Sequence, residues 1–286
     1  MLDVVGFCCV PALRFPVRRR WLACVAKTTC RDGDKGAVLL ETVAARTGVN
    51  ATQLNQLRRL GDTILEANHH LNLTAVRTVE GMIVRHLVDG LGLLPALEDM
   101  QHMNIVDIGS GAGLPGLVLA VCRPGWNITL VEAARKKTRF HEQAIADLGL
   151  CNVQAVWGRA EDLGHDSSHR ERYDCVCARA VAEMRVLAEL ALPLIRVGGS
   201  LVAQKSIERN GPHMELRAAD NAIEVLGGEW AAVEYAWTDK AIQQFLPEAA
   251  DASDGDRRRA IVTVRKVMST SPRYPRTSGT PRKHPL

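Results

Sequence analysis

A chain of 286 residues suffices for one large domain or a domain with an appendage, and 47% hydrophobic with 24% charged residues is the balance of a soluble globular protein. Only 4% of residues are aromatic, so the core must be aliphatic. The net charge of +4 is too mild to declare a nucleic-acid partner, no run of about 18 apolar residues exists to span a membrane, and none of the 8 cysteines forms a C-x-x-C pair, which argues against a zinc knuckle or a redox dithiol.

In chain order, residues 1–36 come first. Up to Arg31 their only acid is Asp3, and their arginine content resembles a transit peptide loosely, without its serine enrichment. They are expected to be a disordered extension, with a transit peptide or a misassigned start as alternatives. Residues 37–100 read as a helical segment. In "QLNQLRRLGDTILEANHHLNL", Leu54, Leu57, Leu60, Ile64 and Leu65 recur at three- and four-residue steps. "VEGMIVRHLVDGLGLLPAL" repeats the pattern, and "NLTAVR" between them reads as an ordered connector. His69 and His70 are adjacent, so they share no helix face and read as surface groups.

Residues 101–268 then alternate strand and helix. "NIVDIG", "NITLVE", "NVQAVWG", "YDCVCARA" and "GSLVAQKS" are strands separated by helical stretches, the pattern of a parallel sheet covered on both faces. "EWAAVEYAW" and "RAIVTVRK" follow without an evident helix between them, which predicts an antiparallel edge. Cys175 and Cys177, alternating with valine, read as small buried hydrophobes. Residues 269–286 form a basic, proline-rich tail. It carries Arg273, Arg276, Arg282 and Lys283 and no acid. It is expected to be a solvated arm, or one that lies along phosphates.

The glycine run "IVDIGSGAGLPG", 105–116, follows a strand and opens a helix, where doubly wound folds bind cofactors. Pro115 suits a first helical turn. The glycines parse two ways: Gly111, Gly113 and Gly116 as a dinucleotide fingerprint, or Asp107 with Gly109, Gly111 and Gly113 as D-x-G-x-G-x-G, the first motif of S-adenosylmethionine enzymes. Charge separates them. A dinucleotide places a pyrophosphate on this turn, and Asp107 would repel it. S-adenosylmethionine brings an ammonium and a sulfonium, for which Asp107 is an acceptor, directly or through water. Glu132 ends the second strand about 20 residues further on, where an acid accepts from ribose hydroxyls in either cofactor.

The acceptor of the methyl group is narrowed by what is missing. No Asn/Asp-Pro-Pro-Tyr follows the fourth strand to hold an exocyclic nitrogen, no Pro-Cys nucleophile serves carbon-5 methylation, and no metal-ligand cluster stands in their place. Guanine N7 keeps a free lone pair at neutral pH, so in-line displacement there needs only orientation and exclusion of water.

"NLTAVR" (72–77), "VRHLVDG" (84–90), "VDIGSGAGLPG" (106–116), "VEAARKKTRF" (131–140), "GRAEDL" (158–163), "ARAVAEM" (178–184) and "RYPRTSGTPRKHPL" resemble, in order and spacing, the bacterial 16S ribosomal RNA guanine-N7 methyltransferase G family (glucose-inhibited division protein B). The resemblance runs from about residue 40 to the C-terminus. It implies the α/β fold of a class I S-adenosylmethionine-dependent methyltransferase, Rossmann-like with a mainly parallel seven-stranded sheet. It also implies S-adenosyl-L-methionine as methyl donor and a guanine of 16S ribosomal RNA, free or in the small ribosomal subunit, as acceptor. A cytoplasmic, membrane-free monomer is expected.

Carried over by position, Gly109 and Leu114 match loop residues that line the cofactor, Ala160 and Glu161 the pair beside the adenine, and Arg179 the arginine ending strand four. The expected cofactor set is thus Asp107, Gly109, Gly111, Gly113, Leu114, Glu132, Ala160, Glu161 and Arg179. Arg85, His86, Arg179 and Lys205 are candidates to position RNA or the target base, and no metal is expected. Asn72 and Arg77 are weaker candidates, as are Arg135, Lys136, Lys137 and Arg139. Two positions depart from the family: Gly90, often serine there, and Ser206 after Lys205, often glycine or lysine. A small-molecule methyltransferase and a non-enzymatic cofactor-binding ribosome-assembly protein are the alternatives.

Overall fold

Seven strands form one sheet: β1 (Asn104–Ile108), β2 (Asn127–Glu132), β3 (Val153–Trp157), β4 (Tyr173–Arg179), β5 (Ile195–Glu208), β6 (Gly228–Tyr235) and β7 (Arg257–Lys266). Their order across the sheet is β3-β2-β1-β4-β5-β7-β6. The structure, a computed structural model, describes residues 35–97, 102–208, 213–235 and 257–286. The expectation of a disordered extension at 1–36 therefore falls almost wholly outside the described residues. The first five strands pair in parallel, with Ile105 beside Ile128 and Cys177 beside Val202. β7 runs antiparallel between β5 and β6, the predicted edge.

Successive side chains of a strand point to opposite faces, and each face has its own core. Ile105, Cys175, Cys177, Val202 and Ile261 belong to the first. Val106, Ile108, Val176, Ala178, Leu201 and Ala203 belong to the second. Helices α1 (Lys35–Arg46), α2 (Ala51–Leu71), α3 (Val79–Met82), a π-helical stretch Ile83–Val88, α4 (Asp89–Leu91), α5 (Gly116–Cys122) and α6 (Arg135–Leu148) cover the first face. The second is covered by α7 (Ala160–Leu163), α8 (Met184–Ala191), α9 (Met214–Ala218), α10 (Asp220–Val225) and α11 (Thr280–Lys283). No described helix is long and apolar enough to cross a membrane.

The N-terminal segment is fastened to the core by polar side chains of α2. Gln53 Nε2 donates to the carbonyl of Cys122 (3.1 Å) and Arg59 to that of Asp147 (2.7 Å), orphan acceptors near the ends of α5 and α6. Asn68, 1% exposed, donates to the carbonyls of Thr74 and Val76 and accepts from Thr74 N–H, which explains why "NLTAVR" is ordered without being helical. Arg77 braces the same turn through Asn68 O and Asn72. α2 opens on a capping box: Gln53 N–H donates to Asn50 Oδ1 and Asn50 N–H to Gln53 Oε1. Asn50→Ala is expected to cost about 1 kcal/mol, read as a lower urea midpoint at unchanged m-value; an unaltered midpoint would show that the packed face of α2 makes the cap dispensable.

The basic tail departs from expectation. It is not a solvated arm: it folds back over the second face. Arg276 forms a bidentate pair with Glu189 (2.6 and 2.9 Å), and the Arg276 amide donates to the same carboxylate at 2.8 Å. Glu189 has no exposed side-chain surface, and a carboxylate buried that completely must keep its counter-charge. Arg170 holds the carbonyls of Thr270 and Tyr274, and His165 that of Pro275. The basic composition suggested solvent because the partner carboxylate lies far back along the chain.

Candidate active site

The carboxyl ends of β1, β2 and β3 open on a cleft. Its floor and sides are Ile108 and Gly109 after β1, Glu132 and Ala133 after β2, and Gly158, Arg159, Ala160 and Glu161 after β3. Val181, Val186 and Leu190 form an apolar wall from the β4–α8 side, and Gly279, Pro281 and Arg282 of the tail close it. Of the predicted cofactor residues, Gly109, Glu132, Ala160 and Glu161 meet in this cleft.

The glycine turn is built for close approach. Gly109, Gly111 and Gly113 all have positive φ (64°, 58° and 82°), a region costly for other residues. Its frame is polar. Gly111 N–H donates to Glu132 Oε2 (3.0 Å) and Ala134 N–H to Oε1 (2.8 Å). Each carboxylate oxygen keeps acceptor capacity beyond these bonds, which a ribose diol can use. His141, which sequence reasoning did not single out, donates from Nε2 to Gly111 O at 2.9 Å; burial pulls its pKa down, so the ring is neutral.

Asp107 does not line the cleft. It is fully buried and accepts from Gly116 N–H at 2.8 Å, while its other oxygen finds no partner among the described residues. Burial pushes its pKa up to about 7, partly offset by the Gly116 bond and Arg179. The aspartate expected to meet the cofactor therefore works from beneath the loop. Helix α5 starts at Gly116, where that bond is made, so Pro115 occupies the N-cap rather than the first turn. Leu114 lies beneath the loop, 3% exposed, in the first-face core.

A second cluster sits beyond β4. Asp89, 4% exposed, lies between Arg179 Nη1 and Arg259 Nε, each 3.4 Å from one of its oxygens. Arg179 also donates to Arg85 O (3.3 Å), and Gln204 Nε2 to Asp89 O (2.6 Å). His86 Nδ1 lies 2.8 Å from Arg85 O and Nε2 2.7 Å from Thr74 Oγ1. A carbonyl can only accept, so Nδ1 carries the proton and Nε2 takes the threonine hydroxyl. Burial first, then Arg179, lowers the His86 pKa to about 4, so it is neutral at pH 7 and offers no exposed base. Two guanidinium groups against one carboxylate leave this cluster cationic. Lys205 does not join it: its ammonium is bound to Glu215 Oε1 and Ala182 O, both at 2.5 Å, and is not presented to RNA. Gly90, where the family often has serine, faces Val118; a Cβ there would come within 3.1 Å of it.

The cleft suits the cofactor that the sequence implied. The Glu132 carboxylate and the apolar wall of Val181, Val186 and Leu190 both line it. A glycine turn with a parallel Rossmann-like sheet and this cleft define a class I methyltransferase. Comparison with known proteins gives the family. The model of GidB, rRNA small subunit methyltransferase G, matches residues 53–242. The ribosomal RNA small subunit methyltransferase G of Pelotomaculum thermopropionicum is 41% identical over 257 residues, 87% of this chain and 100% of that one. Its counterpart in Deinococcus deserti is 42% identical over 238 residues, 82% of this chain and 90% of that one. Among solved structures, geranyl diphosphate methyltransferase in complex with SAM superposes with TM-score 0.45 at 14% identity, covering 63% of this chain and 85% of that one. The chain belongs to the rRNA small subunit methyltransferase G family and is an S-adenosylmethionine-dependent methyltransferase of ribosomal RNA.

Proposed function

We propose that the protein transfers the methyl group of S-adenosylmethionine to N7 of one guanine in 16S ribosomal RNA, acting as a cytoplasmic monomer. The observation that carries this reading is the cationic cluster in which Arg179 and Arg259 flank Asp89 beside the cofactor cleft. S-adenosylmethionine supplies an electrophilic methyl group on a sulfonium. Glu132 holds the ribose, and the Val181–Val186–Leu190 wall excludes water from the transfer path. N7 brings its own lone pair, so no group need take a proton, in keeping with a neutral His86 whose ring nitrogens are both engaged.

Charge assigns the arginines. Methylation at N7 leaves a cationic base, which a guanidinium beside it would disfavour; the arginines therefore hold RNA phosphates and orient the strand. Asp89 fixes Arg179 and Arg259 in place and is a positioning residue. The test is transfer of label from S-adenosylmethionine to small subunits and to naked RNA, mapped by cleavage at N7-methylguanine. Label at a single guanine is expected. No transfer to any RNA would overturn the reading.

A further inference from the structure

The tail forms part of the cleft, although none of its residues belongs to the set that the family resemblance assigns to the cofactor. Gly279 N–H donates to Glu161 Oε1 at 3.1 Å, tying the tail to the loop after β3. Arg282 Nη2 donates to Val181 O at 3.3 Å, tying it to the loop after β4. Val181 in turn packs on the glycine turn, since a Cβ on Gly109 would come within 3.1 Å of its Cγ2. Gly109, Val181, Arg282, Gly279 and Glu161 thus form a continuous run of contacts along the cleft, anchored behind by Arg276 on Glu189. That ion pair fixes the tail before any ligand arrives, and a wall already in place spares the ligand the cost of ordering it.

We propose that this C-terminal segment is a working wall of the S-adenosylmethionine site and that Arg282 positions the cofactor by stacking its guanidinium on the adenine. The inference rests on the reading that this cleft takes S-adenosylmethionine. A second cation near a sulfonium would weaken binding by repulsion, so Arg282 has to act on the neutral end of the ligand. It lines the cleft with Gly279 and Pro281, and Gly279 is hydrogen-bonded to Glu161, which the family resemblance places beside the adenine. A planar guanidinium stacks on a purine face, and a lysine ammonium does not reproduce this.

The experiment uses the full chain and S-adenosylhomocysteine as probe. Titration calorimetry is expected to show Arg282→Ala weakening binding about tenfold, equivalent to about 1.4 kcal/mol, with the melting temperature of the ligand-free protein unchanged. Arg282→Lys should lose nearly as much. In the unaltered protein, amide exchange over 277–284 should slow when the probe is added. Undiminished affinity in Arg282→Ala would overturn the wall, and full rescue by lysine would overturn the stacking. Absence of binding by the unaltered protein would overturn the cofactor reading itself and this inference with it.

Discussion

Gly113→Ala is expected to abolish measurable cofactor binding and to lower the melting temperature by about 10 °C. Two costs add. Gly113 has φ of 82°, which a side chain adopts only with strain of about 1–3 kcal/mol. The new Cβ would also lie 2.4 Å from Leu117 Cδ1 and 3.0 Å from its Cγ. Leu117 has no exposed surface and no room to withdraw, and overpacking of this kind costs about 1–3 kcal/mol. A total near 3 kcal/mol converts to roughly that shift for a domain of this size. The turn also carries Gly111 N–H to Glu132, so its distortion displaces the carboxylate proposed to hold the ribose. Thermal melts and calorimetry with S-adenosylhomocysteine check both parts; an unchanged melt with intact affinity would mean that the turn is soft, not a frame.

Asp107 should make cofactor binding depend on pH near neutrality. Its carboxyl is pushed up to about 7, chiefly by burial. A carboxyl with a folded pKa above its unfolded value holds more protons folded than unfolded. The stability it contributes is fully present below about pH 4 and is lost as pH rises through 7. A cationic ligand in the cleft above favours the ionised form, so binding releases a proton around neutral pH. Affinity for S-adenosylmethionine is expected to rise about tenfold from pH 6 to 8, less for S-adenosylhomocysteine, which lacks the sulfonium charge. Asp107→Asn should flatten the profile. Asp107→Ala should go further: it strands the buried Gly116 N–H, a loss of about 2 kcal/mol of stability, read as a lower urea midpoint. Calorimetry in buffers of different ionisation enthalpy counts the released proton, and a pH-independent wild-type affinity would show that the carboxylate does not sense the ligand.

The strands were legible in the sequence because a parallel strand buried on both faces must be mostly apolar through its middle, as "NIVDIG" and "NITLVE" are apart from Asp107 and Thr129. The glycine turn and Glu132 were legible because their roles follow from backbone geometry and strand order. What stayed hidden depends on distant partners. Nothing near Arg276 announces Glu189, and nothing near Arg179 announces Asp89 or Arg259, so a tail read as solvated is a wall and an arginine read alone belongs to a triad. The partner of Lys205 stayed hidden for the same reason, since Glu215 takes its charge. Asp107 stands out in the sequence as a carboxylate, but its inward direction depends on where the helix begins. Spacing does not reveal that.

The π-helical stretch Ile83–Val88 makes the length of this segment, more than its composition, a condition of the site. A π-turn spans one residue more than an α-turn, and each residue of an α-helix rotates the chain by about 100°. The wide turn already absorbs one extra residue; adding another between Ile83 and Val88 would swing everything after it around the axis. Asp89 would leave Arg179 and Arg259, and Gly90 would no longer be the residue facing Val118. A one-residue insertion would break up the Arg179–Asp89–Arg259 cluster without replacing any of its members.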